Sequence, residues 1–272
     1  MIRVVKAPKT SKSRKRHEQQ ELVFRTWGGR RRGAGRPPKG PRSSEPHKKR
    51  SSFRASEPLH VNIRVDRDVG RLRKRHMYKA LREATITAAK REDFRIVHVS
   101  IQSNHVHLLI EAANKTALAK GMQGFQISAA RRINRVISKR SEKRRIGRVF
   151  SDRYHVRVLR SPKQTRHALA YVLNNWRRHR EDDAAFTNAW VMDPYSTAIQ
   201  FNGWKEMENE VVYRKPPPTY DPLVVWLPKS WLLREGWRRH GLIRMDEVPG
   251  PLAQVREPAP RIGGRPAGSP RA

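Results

Sequence analysis

In "LHVNIRV", Leu59 to Val65, apolar and polar residues alternate, so Leu59, Val61, Ile63 and Val65 share one face of a predicted strand. The next stretch, Gly70 to Glu92, changes period. Met77, Ala80, Leu81, Ala84 and Ala88 fall on one helical stripe. "FRIVHVSIQ", Phe94 to Gln102, and "HVHLLIEA", His105 to Ala112, read as two further strands. Only Ser103 and Asn104 separate them, which predicts an antiparallel hairpin. A second helix follows from Asn114 to Arg140. Leu118, Met122, Phe125, Ala129, Ile133 and Val136 form its apolar stripe, and Arg131, Arg132, Arg135 and Lys139 lie off it. "YHVRVLRS" supplies a fourth strand with Val156 and Val158 on one face. Ser161 then caps a third helix, with Pro162 in its first turn and Gln164 at capping-box spacing. The order β-α-β-β-α-β predicts an α+β, ferredoxin-like antiparallel sheet with an added C-terminal helix.

The flanks are patterned differently. Residues 1–56 carry 18 Lys and Arg against three Glu and are rich in Gly, Pro and Ser, so they read as a disordered basic arm. Within it, "RRRGAGRPPKGPR" centres on Gly35-Arg36-Pro37. It resembles an AT-hook, whose arginine enters the narrow minor groove of A·T-rich duplex DNA. A nonspecific phosphate-binding arm is the plainer alternative. The folded domain is expected over residues 57–200. An accessory C-terminal segment follows over 201–248, with a short helix in "WLLREGWRRHGL", and then a disordered tail over 249–272. No tandem repeat is seen.

Charge narrows the partners. The 272 residues carry 60 Lys and Arg against 24 Asp and Glu, a formal net charge of +36. Such a chain favours a polyanion, and nucleic acid is the leading candidate because neutralising phosphates releases counterions. A membrane is not expected, since no apolar run approaches a spanning length. Cysteine is absent, which excludes disulfides, thiolate zinc sites and cysteine nucleophiles. The expected location is cytoplasmic and nucleoid-associated.

Candidate chemistry lies on the third strand and third helix. Strand alternation puts His105, His107, Leu109 and Glu111 on one face and Val106, Leu108 and Ile110 on the other. Two imidazoles two residues apart can converge on one cation, although such pairs also arise by chance. On the third helix, Ala168, Leu169, Val172, Leu173 and Trp176 form the apolar stripe, and His167, Tyr171, Asn175 and Arg178 run along its flank. Tyr171 offers a phenolic nucleophile and Asn175, one turn on, an amide oxygen. A boundary tyrosine reaching solvent beside a helix-end asparagine is the ordinary alternative.

"NHVHLLIE", "GMQGFQISAARRINR", "RVFSDRYHVRVLRS" and "ALAYVLNNWRRH", in that order, resemble the HUH-type single-tyrosine transposases, most closely the REP-associated tyrosine transposase group. The resemblance covers roughly residues 58–200. It implies metal-dependent cleavage and strand transfer of single-stranded DNA, often beside a hairpin, through a 5′-phosphotyrosine. It implies His105 and His107 as metal ligands and Tyr171 as the nucleophile, on the added helix. Asn175 falls where the family places a third polar ligand, and related insertion-sequence enzymes often have glutamine there. The family's common Asn-Pro after the tyrosine reads Asn174-Asn175-Trp176 here.

Mg²⁺ or Mn²⁺ is the expected cofactor, and two histidines alone also suit Zn²⁺. Arg131, Arg132, Arg135, Arg153 and Arg178 are the candidate DNA-binding residues around the site, and Arg36 is the candidate for contact with an A·T-rich duplex. Tyr154 and Trp176 are candidates for base stacking, with core packing the stronger reading for Trp176. A homodimer is left open, because related insertion-sequence enzymes are dimers that can exchange tyrosine helices and the REP-associated group need not be. Two other readings stand beside this one. The first is a domesticated, non-catalytic DNA-binding protein. The second, an RNA-binding protein of similar fold, lacks the aromatic sheet motif that such modules need.

Overall fold

A computed structural model of the chain describes residues 51–182, 191–209 and 220–248. The AT-hook-like segment with Arg36, the basic arm up to residue 50 and the tail from 249 lie outside the described residues.

The alternating segments become four strands: β1 (Leu59–Arg64), β2 (Phe94–Ile101), β3 (His105–Ala112) and β4 (His155–Val158). They form one antiparallel sheet in the order β2-β3-β1-β4. The helices are α1 (Arg75–Ala88), α2 (Lys115–Ser141), α3 (Pro162–Arg178) and the single turn α4 (Trp231–Arg234). This is the expected α+β, ferredoxin-like arrangement, with α3 added after β4. No described helix is long and apolar enough to cross a membrane.

Each face of the sheet has its own core. Leu59, Val61, Ile63, Val106, Leu108 and Ile110 pack against the stripes of α1 and α2, and all six are fully buried. Phe53 and the β4 valines also pack against this cluster. On the other face, Leu109 and Val97 meet the α3 residues Leu169, Val172 and Leu173. A bulge between Ile96 and His98 lets the neighbours Val97 and His98 both serve this second face. His98 Nδ1 lies 3.1 Å from Thr197 Oγ1, and its ring stands edge-on to Phe201.

The C-terminal residues complete the second core. Phe201, Trp204, Leu233, Trp237, Ile243 and Met245 belong to the same cluster as α3. Polar strapping accompanies this packing. Arg166 forms a bidentate pair with Glu247 and donates to the carbonyls of Gly241 and Leu242. Asn174 Nδ2 donates to Arg244 O and Arg177 Nε to Met245 O. Earlier in the chain, the buried Arg73 guanidinium pairs with Asp193, whose carboxyl is also buried, and donates to Ile101 O. That pair ties the segment that begins at Asp193 back onto the end of β2.

Candidate active site

The hairpin fixes two imidazoles side by side. His105 and His107 project from the same face of β3, and their Nε2 atoms stand 3.0 Å apart. His105 Nδ1 lies 2.8 Å from Asn104 Oδ1, so that ring's second nitrogen is held by the hairpin turn itself. Pairing with β1 adds a third imidazole. Asn62 sits directly opposite His107, and His60 is diagonal to it across the strands. His60 Nε2 approaches His107 Nδ1 to 3.2 Å.

Burial sets the charge of this cluster. Desolvation, then the nearby His179 and Arg64, push the His105 pKa down to about 4. Desolvation, followed by His155 and Arg157, pushes His60 down to about 4. His107 is lowered well below the usual histidine value, by desolvation first and then by the neighbouring imidazoles. Near neutral pH all three rings are uncharged, and uncharged imidazole is the form that can ligate a cation.

Helix α3 brings the phenol to the histidines. Ser161 Oγ caps the helix by accepting from Gln164 N, while Gln164 Oε1 reaches back to Arg160 N. The Tyr171 ring stands edge-on to His107 at 5.1 Å between centroids and to His60 at 5.7 Å. The Arg178 guanidinium lies 5.9 Å from the Tyr171 ring centre. One turn beyond Tyr171, Asn175 is fully buried, and neither of its amide atoms has a hydrogen-bond partner. Leaving a buried polar atom unpaired costs about 1–3 kcal/mol. An oxygen kept in that condition is suited to a cation.

Among the described residues, no group of three or more His, Cys, Asp or Glu could hold a metal ion. The donors that the structure brings together here are the two neutral imidazoles of His105 and His107. The 3.0 Å spacing of the Nε2 atoms also fits. Two metal–nitrogen bonds of about 2.1 Å at a right angle span that distance.

Next to the histidines opens a cleft of about 760 Å³ between the polar faces of β1 and β4 and the flank of α3. His60, His107 and Tyr171 line it together with His155, Arg157 and Lys163. Among the described residues that line it, the one acidic side chain, Glu247, is paired with Arg166.

Residues 59–175 match the sequence model of the family Transposase IS200 like. This stretch, a little under half of the chain, is similar to the IS200-like transposases. His60, His105, His107, Tyr171 and Asn175 all fall within the matched residues. No curated protein matches the chain. A solved REP-associated tyrosine transposase bound to a REP hairpin is similar at 16% identity, covering 56% of this chain and 82% of that one, with a TM-score of 0.41. A bacterial tRNA(His) guanylyltransferase-like protein in complex with GTP is similar at 15% identity, covering 51% and 67%, with a TM-score of 0.33.

Among the described residues, not every candidate from the sequence gathers at the histidines. Arg131, Arg132 and Arg135 sit on α2, which packs on the opposite face of the sheet from His107 and Tyr171. Arg132 there bonds Ser128 Oγ. Arg153 is half-buried in the loop before β4, and Arg178 reaches Tyr171. Tyr154 and Trp176 are both buried, so neither offers a face to a base. Glu111, on the histidine face, is engaged elsewhere. Its carboxylate accepts from Lys229 N and Ser230 N at the start of α4.

Conversely, the structure brings His60, Asn62, His155, Arg157 and Lys163 to the cleft, none of which stood out in the sequence. The signal was present on β1 and β4. His60 and Asn62 are the polar half of the same alternation that buries Leu59, Val61 and Ile63. The buried Asn62 Oδ1, opposite His107 in the sheet, has no hydrogen-bond partner.

Proposed function

We propose that this transposase domain cuts and rejoins single-stranded DNA through Tyr171, with His105, His107 and Asn175 holding a divalent cation. One observation carries the reading: two neutral imidazoles present their Nε2 atoms 3.0 Å apart, and the Tyr171 ring stands against one of them at the head of a basic cleft. The ordered motif blocks, which resemble the REP-associated group, support the reading.

When bound, Mg²⁺ or Mn²⁺ supplies positive charge that polarises the scissile phosphate. The chain's own residues do the rest. His105 and His107 donate lone pairs without losing protons, because burial already keeps them neutral. Arg157 and Lys163 draw the sugar–phosphate backbone along the cleft. The Tyr171 oxygen attacks phosphorus, forming a 5′-phosphotyrosine as the bond to the 3′-oxygen breaks and a 3′-hydroxyl leaves. The tyrosyl ester conserves the phosphodiester bond energy, so a second 3′-hydroxyl can reverse the attack and join strands without ATP.

The test is incubation of the full chain with labelled single-stranded hairpin DNA and Mn²⁺ or Mg²⁺. The expected result is a covalent protein–DNA adduct that survives denaturation and is abolished by EDTA, by Tyr171→Phe and by His105→Ala. Equal cleavage by Tyr171→Phe overturns the nucleophile. DNA binding with no adduct under any metal supports the non-catalytic reading instead.

A further inference from the structure

We infer that His60 is a positioning residue that sets which nitrogen of His107 carries the proton, and so whether the histidine pair can receive a cation. The inference rests on the proposed metal-holding role of His105 and His107 and extends it to a residue on another strand.

The argument counts protons. Asn104 Oδ1 can only accept, so His105 Nδ1 donates to it and His105 Nε2 is left as a bare lone pair. His107 then has two arrangements. In the closed one, His107 Nε2–H donates to His105 Nε2, and His107 Nδ1 accepts from His60 Nε2–H. The pair is then satisfied by its own hydrogen bond and offers nothing to a cation. In the open one, His107 Nδ1–H donates to His60 Nε2, so His107 Nε2 is bare and faces the bare His105 Nε2 at 3.0 Å. Two lone pairs that close repel each other unless a positive charge lies between them.

Passing from closed to open moves the His60 Nε2 proton to His107 Nδ1. The His107 Nε2 proton leaves to water, and His60 Nδ1 takes one from water. Protons balance, and no ring becomes charged. His60 lines the cleft, so its ring can exchange a proton with solvent. His60 therefore acts as the hydrogen-bond partner that orients a ligand imidazole and selects its tautomer, a contact whose loss typically costs 10–100-fold in metal affinity.

Position supports the assignment. His60 comes from β1, 47 residues before His107, and is delivered by the β1–β3 register. Its ring centre lies 5.2 Å from that of His107 and 5.7 Å from that of Tyr171. A ring in that place braces the ligand and borders the nucleophile at once.

The test uses the full chain without DNA and reads Mn²⁺ affinity by electron paramagnetic resonance of the free ion. His60→Phe is expected to weaken binding about 10- to 100-fold at an unchanged metal-free melting temperature. His60→Gln, whose amide oxygen accepts from His107 Nδ1–H, is expected to recover most of the loss. In the wild type, long-range ¹H–¹⁵N spectra of labelled histidines should show His107 protonated at Nδ1 when Mg²⁺ is present. Wild-type affinity in His60→Phe, or His107 keeping its Nε2 proton with Mg²⁺ present, overturns the role of His60. If His105→Ala still abolishes binding in that case, the metal-holding pair stands. If the wild type binds no Mn²⁺, the pair and the inference fall together.

Discussion

His98 shows what burial does to a single residue. It is buried in the second core, and desolvation pushes its pKa down to about 4. In the unfolded chain it titrates near 6.5. Between about pH 6.5 and 4 the unfolded state therefore binds a proton that the folded state refuses, so stability is complete above 6.5 and falls as pH drops through that window. The loss approaches about 3 kcal/mol for this one group, and urea unfolding from pH 4 to 7 checks it. Glu111 makes a second residue-scale case. It shares the strand face of His105 and His107, yet its carboxylate serves the amides of Lys229 and Ser230. Glu111→Gln is expected to cost about 1–3 kcal/mol in denaturant melts, because a buried amide loses its charged acceptor. Mn²⁺ affinity is expected to stay at the wild-type level, where His105→Ala removes it.

At the scale of elements, α2 carries two glycines that separate helix propensity from packing. A Cβ at Gly121 would sit inside the Phe94 ring, whereas one at Gly124 meets nothing within 4 Å. Alanine in a helix interior gains about 1 kcal/mol over glycine. Gly124→Ala should therefore stabilise the protein by about 0.5–1 kcal/mol. At Gly121 the same gain is opposed by displacement of a fully buried Phe94, an overpacking cost of about 1–3 kcal/mol. Gly121→Ala is thus expected to lower the thermal midpoint while Gly124→Ala raises it, measured side by side by calorimetry. The apolar stripes of α1, α2 and α3 were legible in sequence because period 3.6 is a local property. The α2 stripe told which residues face the core, but not that α2 lies across the sheet from the histidines. Arg131, Arg132 and Arg135 are basic and off the stripe, as read, and stand away from the site because of which face α2 covers.

At the scale of the molecule, residues 201–248 belong to the core on which α3 rests. Trp204 and Trp237 are buried against the same cluster as Leu169 and Leu173, and Arg166, Asn174 and Arg177 tie α3 to residues 241–247. A chain ending at residue 200 would expose that apolar face, at roughly 25 cal/mol for each Å² returned to water. The truncated chain is expected to bind a hydrophobic dye and lose cooperative melting, while the intact chain does neither. The formal net charge of +36 belongs to this scale as well, since a field of that sign favours long-range attraction to polyanions.

The sequence by itself determined the four strands, the three long helices, their order, and the sharing of one strand face by His105 and His107. Strand and helix periods follow from backbone sterics, so they can be read within a few residues. Only the tertiary structure decided what meets that face. His60 arrives through the β1–β3 register, Tyr171 through the docking of α3, and the partner amides of Glu111 from 118 and 119 residues away. Periodicity tells a segment which side to bury; it carries no record of which distant segment will cover it. That choice is made by long-range packing, and here it set the site.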